Sequence, residues 1–197
     1  MRALFFCLCV LLSACSSGPE NPIVILDTSV GTIEITVLTD RAPVSSADFL
    51  RYVDNQLYDD QGFYRVVHTD NDPLKMGMSL IQGGRLDKNI IGDQSAHDLT
   101  TQTGISNIEG TVAIARLEPG TGSAAYFFIN IGNNDFLDTG GLRNPDGQGY
   151  ATFARVTHGM DIVRKIQSMD TSASSDDAVT QGQILTAPVI INRAYRK

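Results

Sequence analysis

The feature that most constrains this chain is the shortness of its apolar runs. From residue 23 onward they are brief, rich in β-branched and aromatic residues, and separated by clusters of Gly, Pro, Asn and Asp. Runs of that length bounded by turn residues read as strands rather than helices. Ile23-Val24-Ile25-Leu26 is continuous, as expected of a strand covered on both faces. Thr32 to Val37 alternates, with Ile33, Ile35 and Val37 on one face and Thr32, Glu34 and Thr36 on the other. The turn Thr28–Gly31 joins the two into a hairpin. Further strands are expected at Gly62–Val67, in the apolar stretch Met78–Gly84, and at Gly110–Ala115, Tyr126–Ile131, Tyr150–Val156 and Ala187–Ala194. Only two segments carry a helical stripe. One opens at Ala42-Pro43 and presents Phe49, Leu50 and Val53; the other, His158–Met169, presents Ile162, Ile166 and Met169. Polar loops are expected at Thr69–Lys75, Asn89–Asn107, Glu118–Ser123, Asp138–Gly149 and Asp170–Gln181. Many short strands with two helices, no internal repeat and no strand–helix alternation predict a mainly β fold. The expected form is a closed barrel capped by the helices.

The first residues do not belong to that fold. Arg2 precedes the apolar run Ala3–Leu12, which is too short to span a bilayer, and Leu12-Ser13-Ala14-Cys15 follows. The order resembles a bacterial lipoprotein signal, so residues 1–14 are expected to be removed and Cys15 lipidated. Cys7, Cys9 and Cys15 are the only cysteines, which leaves the mature domain without a disulfide. Residues 15–22 form a polar tether of about 15 Å reach as a coil. The expected location is the cell envelope, facing the periplasm, at the outer membrane because Ser16 is not the aspartate of inner-membrane lipoproteins. The domain itself spans 23–197.

Of the 197 residues, 42% are hydrophobic and 19% charged, a globular balance for one domain. The net charge of −7 disfavours nucleic acid, whose phosphates would repel it. His68, His97 and His158 lack metal-ligand spacing, and no nucleotide fingerprint precedes a helix. Neither metal nor cofactor is expected. A monomer is expected.

One cation interrupts the strand Gly62–Val67. Arg65 lies between Tyr64 and Val66. A guanidinium there must face solvent, a carboxylate or a bound molecule.

Several motifs in order then resemble the cyclophilins, peptidyl-prolyl cis–trans isomerases. They are Ala42-Pro43 with Phe49-Leu50, Phe63-Tyr64-Arg65-Val66, Gln82-Gly83-Gly84, Gly110 to Arg116, Phe127-Phe128-Ile129-Asn130, Phe136-Leu137-Asp138, Phe153-Ala154-Arg155-Val156 and Gly159-Met160-Asp161. The resemblance implies an eight-stranded antiparallel barrel with a helix at each end. It implies Arg65 as the catalytic residue and Leu80, Phe128 and Leu137 as pocket walls. Phe136 and Tyr150 fall at the rim, Gln82 orients Arg65 or the substrate, Ala115 and Arg116 present backbone to the peptide, and Tyr126 also falls among the substrate-binding positions. The implied partners are proline-containing polypeptides, and the implied role is folding of exported proteins.

The chemistry needs no nucleophile. Amide resonance sets a barrier of ~18–20 kcal/mol. A cation that bonds the prolyl nitrogen favours the twisted amide over the planar one. Such a bond contributes about 1.5–3 kcal/mol, whereas a 10⁵-fold acceleration needs about 7 kcal/mol. The apolar pocket must supply the remainder. Four departures stand out. Tyr64 replaces a histidine, Tyr126 a glutamine and Ser79 an aromatic residue, and about nine residues are inserted after His68. They motivate an alternative: a non-catalytic module that binds Pro-containing segments or serves as a lipoprotein scaffold. Phe136 stands where cyclosporin-sensitive members carry tryptophan, so weak inhibition is expected.

Overall fold

The structure, a computed structural model, describes residues 20–87, 94 and 96–197. The expected signal segment, Cys15 and the tether up to residue 19 lie outside the described residues. Eight strands form a closed barrel: β1 (Ile23–Thr28), β2 (Gly31–Val37), β3 (Gln61–Val67), β4 (Leu80–Gly84), β5 (Thr111–Ile114), β6 (Tyr126–Asn130), β7 (Thr152–His158) and β8 (Ile184–Arg196). Their order around the barrel is β1-β2-β7-β5-β6-β4-β3-β8, and every pairing is antiparallel. The expected hairpin is β1–β2, with Leu26 opposite Ile33 and Thr28 opposite Gly31.

The interior is filled by the inward residue of each alternation: Leu26, Ile33, Ile35, Phe63, Ile81, Phe127, Ile129 and Phe153 are fully buried. Helix α1 (Pro43–Asp54) closes one end. Pro43 occupies its first turn, where the missing N–H is no loss. Its Phe49 meets Phe153 at 5.0 Å and Phe127 edge-on at 5.6 Å between ring centroids. Helix α3 (Met160–Gln167) packs on β2, β3 and β4 and buries Val163 and Ile166.

The structure corrects three details. A further helical turn, α2 (Thr100–Thr103), lies in the stretch expected to be loop. A single turn has no amphipathic period to read. It is held by its ends: Leu99 N–H donates to Gln102 Oε1 at 3.1 Å, and Gly104 closes it at φ 66°. Helix α3 starts two residues later than expected because His158 still belongs to β7, paired with Glu34. Gly159 then turns the chain at φ 90°, where a Cβ would stand 2.4 Å from the Thr32 carbonyl oxygen. Strand β8 begins at Ile184, ahead of Pro188. Phe63 pairs with Val189 but Arg65 with Ile184, so β8 carries extra residues there. Pro188, lacking a donor, lies within that irregularity.

Candidate active site

The same alternation that fills the barrel builds a second apolar cluster on its outer face. Val67, Leu80, Ala113 and Phe128 are the outward neighbours of Val66, Ile81, Val112 and Phe127. With Met78 and Leu137 they form a cluster separate from the barrel core, flanked by Ala115, Phe136 and Tyr150. Pattern alone leaves Phe128 and Leu137 assignable to the core; the structure assigns them to this outer cluster. Ala113 of β5 lies opposite Phe128 of β6.

Arg65 points to the same face. Along β3 and β4, Phe63 pairs with Gly83 and Arg65 with Gln82, so Tyr64 is an extra residue. Such a bulge re-aims side chains. Adjacent residues of a regular strand face opposite ways, yet Tyr64 and Arg65 both reach Gln82. Arg65 Nη1 donates to Gln82 Oε1 at 2.9 Å, and Gln82 Nε2 donates to Tyr64 Oη at 2.8 Å. Arg65 Nε donates to Gln183 Oε1 at 2.8 Å. The guanidinium is therefore held by two neutral amides, which fix its position without cancelling its charge. Burial lowers its pKa, partly opposed by Tyr64 and Tyr150. Burial pushes the Tyr64 hydroxyl up to about 12, so it stays neutral and serves as the acceptor that orients Gln82.

The other walls come from loops. Phe136 and Leu137 lie on a 3₁₀ turn, Asp135–Leu137. Tyr150 meets Phe128 edge-on at 5.4 Å. Ser79, the expected departure, turns its hydroxyl to Gln167, whose Nε2 donates to it at 2.7 Å; Met78 supplies the apolar bulk. A buried amide network braces this side. Asn134 bonds both the N–H and the C=O of Ser79, at 3.1 and 2.8 Å. Its Nδ2 also donates to Asn130 Oδ1 at 2.7 Å, and Asn107 Nδ2 donates to Asp138 Oδ1 and to the Tyr150 carbonyl at 2.8 and 3.2 Å.

A groove of about 580 Å³ adjoins the cluster, lined in part by Tyr64, Gln82, Ala115, Arg116, Ser123 and Tyr126. Tyr126 thus stands in the groove wall, outside the apolar cluster. Ala115 belongs to both. The Arg116 guanidinium is engaged elsewhere: it pairs with both Asp146 oxygens, at 2.8 and 3.0 Å, and bonds the Gly149 carbonyl at 2.8 Å. It clamps the 138–149 loop over β5 and lies across the Tyr150 ring at 5.3 Å. The expected residues Arg65, Gln82, Leu80, Phe128, Phe136, Leu137, Tyr150 and Ala115 are brought together on one face. Gln183, Met78 and Asn134 were not legible in the sequence. A fully buried glutamine in a polar segment has no local signature, although Asn130 inside an aromatic strand does mark the amide network.

Residues 23–191 match the family model described as cyclophilin type peptidyl-prolyl cis-trans isomerase/CLD. The chain is 33% identical over 154 residues to a peptidyl-prolyl cis-trans isomerase of Acinetobacter baylyi, covering 77% of this chain and 75% of the relative. It is 33% identical over 149 residues to peptidyl-prolyl cis-trans isomerase B of Escherichia coli, covering 75% of this chain and 85% of that protein. In structure it resembles a cyclophilin type isomerase of Cryptosporidium parvum crystallised with the dipeptide Ala-Pro, with a TM-score of 0.66 and 16% identity over 89% of this chain and 98% of that one. The likeness supports the barrel, and the relatives favour catalysis over the binding-only alternative. The chain belongs to the cyclophilin family and is a peptidyl-prolyl cis–trans isomerase.

Proposed function

We propose that this chain isomerises X–Pro bonds of exported polypeptides at the cell envelope, with Arg65 as the catalytic residue and the outer apolar cluster as the proline pocket. The observation that carries the reading is a guanidinium held by neutral amides beside an apolar cluster distinct from the barrel core. Of the five N–H groups on the fork, the two glutamines engage one on Nε and one on Nη1. Among the described residues no group bonds Nη2, which is left to meet the prolyl nitrogen as it regains its lone pair. The proline ring seats against Phe128, Leu137 and Leu80, with Phe136 and Tyr150 at the rim. The groove beside Ala115 and Tyr126 takes residues on the other side of the bond. Packing the ring excludes water and strengthens the bond to nitrogen.

The test is exchange NMR or a protease-coupled assay on an Ala-Pro peptide. Wild-type protein is expected to accelerate isomerisation, and Arg65→Ala to lower kcat/KM by about 10²–10³-fold with the circular dichroism spectrum unchanged. An unimpaired Arg65→Ala protein overturns the assignment.

The envelope role rests on the lipoprotein-like first residues. Asn21 Oδ1 accepts the Thr39 N–H at 3.0 Å, and the Pro22 carbonyl accepts the Val37 N–H at 2.8 Å. Residues 21 and 22 are thus tied to the barrel, and only five residues separate Cys15 from Asn21. The site would then work close to the membrane surface. Labelling with radioactive palmitate should mark the wild type and not Cys15→Ser, which should move to the soluble fraction. Equal labelling of both sinks the anchor.

A further inference from the structure

The residues inserted after His68 approach the site, and one of them touches its machinery. Asn71 is fixed on both sides. Its Oδ1 accepts the His68 N–H at 2.8 Å, and its Nδ2 donates to the Gly182 carbonyl at 3.0 Å. Its own backbone carbonyl accepts Gln183 Nε2 at 2.8 Å. Gln183 is fully buried, and its main chain is also pinned: its N–H donates to the Thr180 carbonyl at 3.0 Å, and its carbonyl accepts the Val66 N–H at 2.7 Å. The other end of its amide accepts Arg65 Nε at 2.8 Å. The far side of the inserted loop is tied down by the buried Asp72. That carboxylate accepts the N–H groups of Met76 and Met78 at 2.8 and 3.2 Å and Arg143 Nη1 at 3.1 Å.

We propose that Gln183 is a positioning residue for Arg65 and that the inserted loop sets its orientation through the Asn71 carbonyl. An amide has a donor end and an acceptor end. Turned over, Gln183 would aim its NH₂ at the guanidinium and its oxygen at the Asn71 carbonyl, two repulsive contacts. The Asn71 carbonyl thus selects the orientation in which Oε1 faces Arg65. Gln82 is braced from the opposite side by the Tyr64 hydroxyl, which accepts its Nε2–H. One tether lets a guanidinium swing; tethers at Nε and Nη1 together fix its plane. The insertion, which by length alone threatens the site, is part of what aims the cation.

The inference rests on the isomerase reading of Arg65, and the test separates the two. Gln183→Leu keeps bulk and removes both bonds. Asn71→Ala removes the side-chain bonds to His68, Val66 and Gly182 that help hold its carbonyl in place, at a half-exposed position that tolerates change. Steady-state kinetics on the Ala-Pro peptide should show kcat lowered by about tenfold for Gln183→Leu, with KM within about twofold of wild type. Asn71→Ala should shift kcat in the same direction by about threefold. The Arg65 Nε–H resonance, identified by its loss in Arg65→Ala, should be sharp and slow to exchange in wild type and broadened in both variants. A folded Gln183→Leu protein with unchanged kcat overturns the inference while leaving Arg65 intact, provided that Arg65→Ala is impaired. If Gln183→Leu does not fold, Asn71→Ala decides: unchanged kcat with an unchanged Nε–H resonance overturns it. If Arg65→Ala is itself unimpaired, the isomerase reading of Arg65 fails, and the inference with it.

Discussion

At Arg65 the acceptors are Gln82 and Gln183, two neutral amides, and that choice shapes the chemistry. In the role proposed for Arg65, a carboxylate would hold the fork as firmly but would cancel the field offered to the twisted amide. Lysine offers a point charge that cannot meet both glutamines and the substrate. Arg65→Lys is therefore expected to lose about tenfold or more in kcat in the same peptide assay, although the charge is kept. Phe128 poses the complementary question. Phe128→Leu keeps most of the apolar volume but loses the edge-on contact with Tyr150. We expect KM to rise by a factor on the order of 10, with thermal stability little changed. A large fall in kcat at constant KM would assign the ring to the transition state rather than to binding.

Among the elements, β3 and the loop after it decide the most. The strand is legible from its β-branched and aromatic residues, but the bulge at Tyr64 is not, because it arises from pairing with β4 and β8 at once. The loop reads as polar and turn-rich, yet its anchor, Asp72, is buried. Burial raises the Asp72 carboxyl pKa, but the N–H groups of Met78, Met76 and Leu74 and the charge of Arg143 outweigh it, and the net shift is downward. A carboxyl whose pKa is lowered by folding stabilises the fold fully above its unfolded value of about 3.9 and loses that contribution as pH falls through the folded value. Wild-type stability should thus drop below about pH 4, and Asp72→Asn should flatten that acid limb. Replacing the charge should also cost about 3 kcal/mol at neutral pH, measured by urea unfolding. At the β4 end, Gly84 sits at φ 132°, where an added methyl would stand only 2.0 Å from the Ala125 carbonyl oxygen. Gly84→Ala should lower stability by about 2 kcal/mol or more. An acid limb unaltered in Asp72→Asn would mean that other carboxylates govern it.

For the whole molecule, closure is the main energetic fact. Strand β8 pairs with both β1 and β3, joining the beginning of the barrel to its middle. Its removal would leave two open edges and expose the inner residues Leu26 and Phe63. Truncation before Ile184 is therefore expected to abolish the near-UV circular dichroism signal and the folded elution volume, not merely to lower the midpoint. A truncated protein that keeps both would show that the other strands close without β8. Pairings so distant in sequence also predict slow folding for a domain of this size.

The sequence by itself determined that the chain forms many short strands, which residues of β2 share a face, roughly where α1 and α3 lie, and, through resemblance, that Arg65 is the cation to examine. These follow from periodicity, turn chemistry and motif order, all local properties. The tertiary structure alone decided that Tyr64 and Arg65 share a face and that Gln183 and Asn71 stand behind the guanidinium; it also put Phe128 and Leu137, which pattern left in the core and resemblance moved to the pocket, in an outer cluster. Each of these depends on register between strands and loops far apart in the chain. A one-residue bulge or a buried amide leaves no period in the sequence from which it could be read.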